Sequence, residues 1–598
     1  MPVPPPMFRR SGARPGHRLR LAAAAASTAA LAWAPLAAAG PAAATIAQTA
    51  PPVTASAFPV EPAGTAPADN DGLIPNPATP TGAAIAPPAS CAVTFASPGA
   101  TSASVNSWIA ANENSIAATT VLCLSGTFTS PIQVWGKSST ALLEIAPAPG
   151  STATLSLGTV TAADTSPNQF WADSGGVSIV DSRSVEIYGL TVQNYTWSGT
   201  GHSPAGIYVT VRSDTTNTNQ NTVPHLSACF LNGGSCGDIY IIGNTVRNIT
   251  NTGDENYTTR SLCGNGNVNG YGIAVIAAGS ATSQPLQHLV IENNTVTGTR
   301  TGQSETVTIN GHVNDFLAAG NVVHDNDNIG LDTIGWEVGA SQASHGLIKG
   351  NTIYNVDTWS NAAYGKWSNG ACVAQPENAA GIYDDGASYI WIDANTVWNT
   401  DQGINLDVET KGKSTDHLLV SGNTVYADPG TSASDPSVGT NPPGTAGTSA
   451  VAGHDPYALY VDAFGRNASI SSVYVHDNTF QNQSQYFLTP SAGMPVVDLG
   501  GIWSDVQIWH NTILGLGSAD RYNPLFEVDK QPAGGTNVVD CNEYGNLSAA
   551  SNTVNGNFAL PATSFLTLPQ WQAGNKHGWD ADSAVGSFSP NCPAQSVK

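Results

Sequence analysis

Aspartate recurs at one position of a short repeated segment in the middle of this 598-residue chain. The three segments are Gly381-Ile-Tyr-Asp-Asp385, Gly403-Ile-Asn-Leu-Asp407 and Ala458-Leu-Tyr-Val-Asp462. Successive side chains of an extended strand face opposite sides, so the second and fourth residues after the first one share a face. If the three strands stack, their last aspartates form a column on the outer face.

Such a column predicts chemistry that uses carboxyl groups. Parallel strands stack about 4.8 Å apart, and carboxylates at that spacing resist being ionised together. Either one carboxyl stays protonated, as a general acid must, or a cation lies among them. Glycosidases that retain configuration use carboxyls about 5 to 5.5 Å apart, and inverting ones use about 6.5 to 9.5 Å. Asp385 and Asp407 would suit retention, whereas Asp385 and Asp462 would suit inversion.

Polar and aromatic residues around the column predict a carbohydrate-binding surface. Glu409 follows Asp407 closely and is a further catalytic candidate. The outward positions of this and neighbouring strands also carry polar side chains, namely Asn310, Asp332, Tyr383, Asn405 and Asp462. Aromatic rings beside polar groups can stack on sugar faces, and the candidates are Trp336, Trp359 and Trp367. Asp384 falls at an inward position, which suggests a bulge that re-aims both carboxylates.

An asparagine-centred repeat predicts the scaffold that holds these side chains. The pattern Ile-x-x-Asn-Thr-Val, with variations, is centred on Asn244, Asn294, Asn321, Asn351, Asn395, Asn423, Asn478 and Asn511. Gly189 takes the Asn place in an earlier copy. Short β-branched strands and a tight bend, where Asn tolerates left-handed backbone, favour stacked coils joined by an asparagine ladder. Self-similarity of this kind marks a solenoid.

On this repeat, the chain resembles the pectate-lyase-like superfamily of right-handed parallel β-helices over most of Cys91 to Asn542. The tail segments Phe565 to Trp571 and Gly578 to Ser583 look like the C-terminal part of many carbohydrate-active β-helix proteins. The resemblance implies an all-β, right-handed parallel β-helix with loop insertions and a C-terminal cap.

A local resemblance bears on the chemistry. The segment Gly381 to Gly412 is similar to the β-helical family 120 glycoside hydrolases, which resemble retaining β-xylosidases. In that family the nucleophilic Asp ends a Gly-Ile-x-x-Asp strand, and the acid is a Glu on the next coil. The resemblance implies that Asp385 is the nucleophile. The acid is then Asp407 by column or Glu409 by residue type.

Two functions besides a glycoside hydrolase fit the same residues. Clustered aspartates suit Ca²⁺, as in a calcium-dependent polysaccharide lyase. β-Elimination also needs a base, and the basic residues nearby, Lys366, Lys411 and Arg466, all lie in loops. A non-catalytic carbohydrate-binding solenoid could hold Ca²⁺ on the same column. The hydrolase is the favoured interpretation; it requires neither metal nor cofactor, and the motifs of a C5-epimerase are not apparent.

The N-terminal residues predict an exported protein. Residues 1–39 combine five arginines, an apolar stretch from Leu21 to Leu36 and the small residues Ala37 to Ala39, the order found in signal peptides. Residues 40–88 are rich in Ala, Pro and Thr, a composition typical of linkers. The β-helix is predicted over 89–535 and a capping segment over 536–598. We expect a secreted or periplasmic protein without a membrane span.

The charge of the chain restricts its expected partners, and its cysteine content predicts disulfides. The chain has 43 acidic and 20 Lys and Arg residues, a net charge of −23, which argues against a nucleic-acid partner. We therefore expect a monomer that acts on a polysaccharide or oligosaccharide, more readily a neutral than a polyanionic one. Eight cysteines in an exported chain predict disulfides, with Cys91–Cys123 and Cys541–Cys592 at the two solenoid ends. The pairing of Cys229, Cys236, Cys263 and Cys372 stays open.

Overall fold

The fold is taken from a computed structural model of the chain. The structure describes residues 88–160, 175–197, 203–212, 236–251, 269–278, 285–337, 341–356, 358, 365–368, 371–374, 379–400, 402–427, 457–482, 496–515, 525–528, 532–535, 537–546, 558–559, 566–574, 579–586 and 592. The predicted signal peptide, nearly all of the predicted linker and Trp359 lie outside these residues.

The described chain forms three long parallel sheets. The site sheet holds the candidate residues and consists of β3 (Ile132–Trp135), β6 (Gly175–Val180), β9 (Ala205–Arg212), β12 (Tyr271–Ala278), β15 (Val307–Gly311), β18 (Leu331–Ile334), β23 (Ala380–Asp385), β26 (Gln402–Asp407), β29 (Tyr457–Val461), β32 (Val497–Leu499), β35 (Phe526–Val528) and β38 (Phe558–Ala559).

The middle sheet follows the site sheet along each coil. It consists of β1 (Val93–Ala96), β2 (Thr120–Phe128), β4 (Leu143–Pro147), β7 (Arg183–Tyr188), β10 (Gly237–Ile242), β13 (Leu286–Glu292), β16 (Val313–Ala319), β19 (Ser344–Lys349), β24 (Ser388–Asp393), β27 (Ser414–Ser421), β30 (Ser469–His476), β33 (Trp503–Trp509) and β36 (Val538–Asp540).

The third sheet completes each coil and begins with the second half of β2. Its other strands are β5 (Ala153–Val160), β8 (Thr191–Trp197), β11 (Thr245–Asn251), β14 (Thr295–Thr297), β17 (Val322–Asn326), β20 (Thr352–Val356), β25 (Thr396–Thr400), β28 (Thr424–Ala427), β31 (Thr479–Asn482), β34 (Thr512–Gly515), β37 (Glu543–Asn546) and β39 (Ala584–Val585).

A coil therefore runs from the site sheet through the middle sheet to the third sheet, and each strand pairs in parallel with its counterpart on the next coil. This is the predicted right-handed parallel β-helix. Its interior is a continuous column of aliphatic side chains such as Ile382, Ile404 and Leu459. A short antiparallel hairpin, β21 (Gly365–Ser368) and β22 (Ala371–Ala374), lies outside the three sheets.

The asparagine ladder is confirmed. Each predicted Asn lies at the bend between the middle and third sheets, is almost fully buried and bonds the next one. Asn351 donates its backbone and side-chain N–H groups to Asn395 Oδ1, at 2.8 and 2.9 Å, and Asn395 donates in the same way to Asn423. Asn542 extends the ladder beyond Asn511.

Two details of the predicted ladder are wrong. The left-handed residue is the one before each ladder Asn, for example Gly350 (φ 62°) before Asn351, and not the Asn itself. Ile242 pairs with Tyr188, so Leu190 and not Gly189 lies opposite Asn244, and the Leu190 backbone N–H donates to Asn244 Oδ1 at 2.9 Å. The side chain of the Asn and the left-handed backbone are thus supplied by two successive residues.

The two solenoid ends carry the predicted disulfides. Cys91–Cys123 joins the chain near β1 to β2, and Cys541–Cys592 ties the far end. Helix α1 (Ser102–Asn112) begins with a Thr101 capping box, buries Val105 and Ile109 and packs beside β3. Cys236 is also disulfide-bonded.

At the C-terminal end, strands β36 to β39 continue the sheets beyond residue 535. Helix α2 (Leu568–Gly574) follows and buries Trp571, whose indole N–H donates to Asp580 Oδ2 at 2.7 Å. The disulfides agree with an extracellular protein. None of the helices in the described ranges is both long and apolar enough to cross a membrane.

Candidate active site

The aspartate column forms as its spacing predicts. Along β23 and β26, Ile382 pairs with Ile404 and Asp385 with Asp407. Leu406 pairs with Val461 on β29, which brings Asp462 beside Asp407 on the next coil. The column therefore spans three consecutive coils, and its three aspartates are each at most 4% exposed.

The predicted bulge at Asp384 is wrong. The register runs without interruption from Asp384 opposite Leu406 to Asp385 opposite Asp407, so no extra residue interrupts the pairing. Asp384 points into the interior, where Thr333 Oγ1 donates to its Oδ2 at 2.9 Å. Burial raises the pKa of Asp384 well above its usual range, which favours the protonated form of this inward carboxyl.

Three carboxyl groups meet around Tyr383. Asp385 Oδ1 accepts the backbone N–H of Glu409 at 2.8 Å. Asp407 Oδ1 accepts the backbone N–H groups of Val408 at 2.5 Å and Phe464 at 2.7 Å. The Tyr383 hydroxyl lies 2.9 Å from Glu409 Oε1 and 3.3 Å from Asp407 Oδ2. Asp385, Asp407 and Glu409 thus form one connected group, as the sequence analysis anticipated.

The position of Tyr383 determines how these groups can share protons. One hydroxyl hydrogen cannot bond both Glu409 and Asp407 when both are ionised. If Glu409 is protonated, it can donate to the Tyr383 oxygen, and Tyr383 can donate to Asp407. Asp407 then stays ionised with two fixed backbone donors and the tyrosine hydroxyl. The arrangement therefore favours a mixed state, in which one of these two carboxyls is protonated and the other ionised.

Burial and mutual repulsion perturb the whole group. Burial, followed by the nearby charges of Glu409, Glu337 and Asp407, raises the pKa of Asp385 well above its usual range. Burial, then Asp462 and Glu409, does the same for the pKa of Asp407. The pKa of Glu409 is raised by burial and lowered by the Tyr383 hydroxyl. Some of these carboxyls therefore keep their protons at a pH where an isolated one would be ionised.

A second acidic group lies on the N-terminal side of the first. Asp332 pairs with Tyr383 across neighbouring strands, and Asn310 Nδ2 donates to Glu337 Oε2 at 3.1 Å. The pKa of Asp332 is raised well above its usual range by burial first and then by Glu305, Asp385 and Glu337. Burial and then the Glu409 charge raise the pKa of Glu337 to about 7. Charges in the first group therefore raise the pKa values of carboxyls in the second.

The remaining predicted binding residues divide into two sets. Asp462 is buried in the column and Asn405 is buried two positions before Asp407 on β26. Asn405 Nδ2 donates to Gln402 Oε1 at 2.9 Å, and the Tyr460 hydroxyl donates to Asp462 Oδ2 at 2.5 Å. Trp336 is half-buried, its ring lies 4.3 Å from Lys413 Nζ, and its indole N–H donates to Ser414 O at 3.3 Å. For Trp367 the structure describes only the backbone, on β21. Of the three aromatic side chains predicted to form a rim, Trp336 is therefore the one whose contacts are described.

Sequence analysis missed Glu305, Glu337 and Phe464. Glu305 lies just before β15, one residue outside the repeated segment. Glu337 follows Trp336, which has left-handed backbone (φ 71°) and whose N–H donates to Ser341 O at 2.8 Å, so a turn begins there. Phe464 is 37% exposed although its backbone N–H is bound to Asp407. For the two glutamates the available signal was an acidic residue two or three positions from the end of a site strand.

Within the described part of the chain, no three His, Cys, Asp or Glu side chains lie close enough together to hold a metal ion.

Comparison with known proteins gives distant similarities. No protein-family model matches the chain. The uncharacterized protein YwoF of Bacillus subtilis (strain 168) is 30% identical over 251 residues, which are 42% of this chain. The match spans 44% of YwoF, less than half of that protein's length.

Three solved structures illustrate the structural similarity. The mannuronan C-5 epimerase AlgE6 A-module of Azotobacter vinelandii is 10% identical, with 81% of this chain and 95% of that chain covered (TM-score 0.38). The GH136 lacto-N-biosidase of Eubacterium ramulus is 10% identical over 73% and 63% (TM-score 0.42). A mannuronic acid specific polysaccharide family 6 lyase from human gut microbiota is 12% identical over 83% and 92% (TM-score 0.34).

Proposed function

We propose that the protein is a glycoside hydrolase that cleaves a polysaccharide or oligosaccharide with paired carboxyl groups on the site sheet. The observation that carries the proposal is the Tyr383 hydroxyl between Glu409 and Asp407, with Asp385 bound to the Glu409 backbone. Glycoside hydrolysis needs one protonated and one ionised carboxyl within a few ångströms. The shared hydroxyl and the mutual repulsion of these groups favour such a mixed state.

In this proposal Glu409 is the general acid and Asp385 the nucleophile. Glu409 is half-buried, so it can meet a glycosidic oxygen, and its raised pKa keeps the proton available. The other carboxyl considered as the acid, Asp407, has its Oδ1 engaged by two backbone N–H donors that favour its charged form. Asp385 Oδ1 is fixed by the backbone N–H of Glu409, and in the proposal the other oxygen of Asp385 attacks the sugar.

Each step then has a named group. Glu409 protonates the leaving oxygen while Asp385 attacks the anomeric carbon, and a glycosyl ester forms. Deprotonated Glu409 next takes a proton from water, which hydrolyses the ester and frees Asp385. Asp407 keeps the Tyr383 hydroxyl oriented and stabilises positive charge at the sugar ring. Glu409 lies two residues after Asp407 on the coil next to Asp385, and its backbone N–H is 2.8 Å from Asp385 Oδ1; this proximity of acid and nucleophile supports retention of configuration.

The test is product analysis with Asp385→Asn. Wild-type protein should produce new reducing ends from a neutral glycan in the presence of EDTA, and Asp385→Asn should reduce turnover to background without changing the circular dichroism spectrum. Asp416→Asn is the matched control, because Asp416 is 44% exposed on the middle sheet. Glu409→Gln should cost about 10²- to 10⁴-fold, the usual worth of general acid catalysis.

The same experiment tests the lyase alternative. A lyase would give an unsaturated uronate that absorbs in the ultraviolet, and activity lost on chelation would return with Ca²⁺. A lyase also needs a base at the reacting carbon. Lys413 lies beside the site, but its ammonium group is 4.3 Å from the centre of the Trp336 ring. Unsaturated product, or full activity in Asp385→Asn, would overturn the hydrolase proposal.

A further inference from the structure

The acidic group N-terminal to the reacting carboxyls has no role in the proposed cleavage. It consists of Glu305, Asp332 and Glu337, and Asn310 lies among them with its Nδ2 bound to Glu337 Oε2 at 3.1 Å. Among the nearby charges, Glu337 raises the pKa of Glu305 most, and Glu305 raises the pKa of Asp332 most. We call these four residues the acidic subsite.

Two oxygen acceptors in the acidic subsite have no hydrogen-bond donor among the residues that the structure describes. They are Asn310 Oδ1 and Asp332 Oδ1, on side chains that are 4% and 1% exposed. Asp332 pairs with Thr308 and Asn310 with Ile334, so the two side chains lie two positions apart on the same face of neighbouring strands. Buried polar atoms in folded proteins nearly always have a partner, so two unpaired acceptors on one face indicate a place where a ligand supplies donors. Because the amide nitrogen of Asn310 is bound to Glu337, the open atom of that amide is its oxygen.

The missing group must supply both donors and positive charge. Basic side chains near the site are engaged elsewhere: Arg300 lies 3.9 Å from Asp327, and Lys413 covers Trp336. An ammonium group has three donors and no acceptor, whereas a hydroxyl also brings lone pairs that would face the carboxyls. An ammonium group therefore fits a set of acceptors that lies beside several acids.

We propose that the acidic subsite binds the ammonium group of an amino-sugar unit in the glycan. Asp332 is the strand neighbour of Tyr383, so the subsite adjoins the reacting carboxyls, and the recognised unit is at or next to the cleaved bond. This inference rests on the proposed function and adds the substrate class to it. The substrate is then a glycan with free amino groups, and its N-acetylated counterpart lacks both the charge and two of the donors.

Binding to the inactive full-length Asp385→Asn protein separates recognition from catalysis. Isothermal titration would compare a β-1,4-linked glucosamine oligosaccharide with its fully N-acetylated form at a pH near 7, where protonated amines and ionised Glu337, whose pKa is raised to about 7, can both be present. We expect the free-amine oligosaccharide to bind at least about tenfold more tightly, a difference that corresponds to about 1.4 kcal/mol. Its affinity should fall as salt is added, while that of the N-acetylated form should change little.

A second substitution identifies the group responsible. Glu337→Gln in the same background should weaken binding of the free-amine form about tenfold and leave the N-acetylated form unchanged. Glu543→Gln, a half-buried glutamate on β37, is the isosteric control. Equal affinity for the two oligosaccharides, no binding of the amine form, or equal losses for both in Glu337→Gln would each overturn the inference. Hydrolysis of neutral glycans by wild type would still support the proposed function in any of these cases.

Discussion

Tyr383→Phe is the most informative single substitution at the proposed active site. It removes one hydroxyl and leaves the ring, which packs on the outer face of β23. The hydroxyl lies 2.9 Å from Glu409 Oε1 and 3.3 Å from Asp407 Oδ2, so both carboxyls lose a neighbour while no strand contact is lost. The change therefore tests the proton-sharing arrangement and not the fold.

The direction in which Tyr383→Phe changes the pKa of Glu409 follows from the hydrogen bond that the hydroxyl donates. Donation by Tyr383 favours ionised Glu409 and holds the pKa of that group below the value that burial alone would give. Without the donor, the pKa of Glu409 rises, and the general acid keeps its proton to higher pH. A hydrogen bond to a charged group is worth about 1.5 to 3 kcal/mol, and partial exposure of Glu409 favours the lower figure. The protonation equilibrium should then change by about tenfold.

The assay is kcat/KM against pH for wild type, Tyr383→Phe and Tyr389→Phe. In Tyr383→Phe the basic limb should move to higher pH, and the maximum rate should fall because Asp407 also loses a donor. Tyr389, stacked between His345 and His417 on the middle sheet, supplies the control and should leave the profile unchanged. A basic limb that stays in place, or that moves to lower pH, would refute the assignment of Glu409 as the acid held by Tyr383.

Two further predictions concern stability. Asn395→Ala should lower the free energy of unfolding by at least about 3 kcal/mol in urea titrations, because it leaves the Asn351 N–H groups and the Ile348 carbonyl buried without partners; a loss below about 1 kcal/mol would contradict the ladder argument. Burial raises the pKa values of Glu186 and Glu337 from 4.5 to about 7, so their contribution to stability is complete below pH 4.5 and lost as pH rises through about 7. The Tm should accordingly fall over that window, less steeply in Glu186→Gln, and a Tm that rises there would contradict the assigned direction.

The sequence predicts the strands of the site well because the fold is periodic. Alternation along a strand assigns each residue to the interior or the exterior, and the asparagine ladder fixes the register between coils. These two rules suffice to place Asp385 opposite Asp407 and Asp462 on the next coil. They also assign Asp384 to the interior, and the structure accommodates it with Thr333 and no bulge.

The residues outside the strands could not be placed in this way. Glu337 lies near Asn310 because Trp336, the residue before it, adopts left-handed backbone. A bulky residue rarely takes this conformation, so it could not be predicted from the sequence. Phe464 is brought to Asp407 by the turn after β29, whose Gly465 N–H donates to Val408 O. Such turns depend on contacts between coils that are far apart in sequence, so a repeat pattern carries no information about them.

The separation of stabilising and reactive residues explains how the fold supports a dense group of acids. Repulsion among buried carboxyls opposes the stacking of β23, β26 and β29, yet the same coils are joined at the opposite bend by Asn395, Asn423 and Asn478. These amides carry no charge, so they hold the register at any pH, and the aliphatic interior contributes throughout. Because the register is fixed elsewhere, the site sheet can keep aspartates in a column whose spacing is set by the backbone. The acidity of the site is therefore imposed by the solenoid geometry, and single isosteric changes in the column should alter chemistry before they alter the fold.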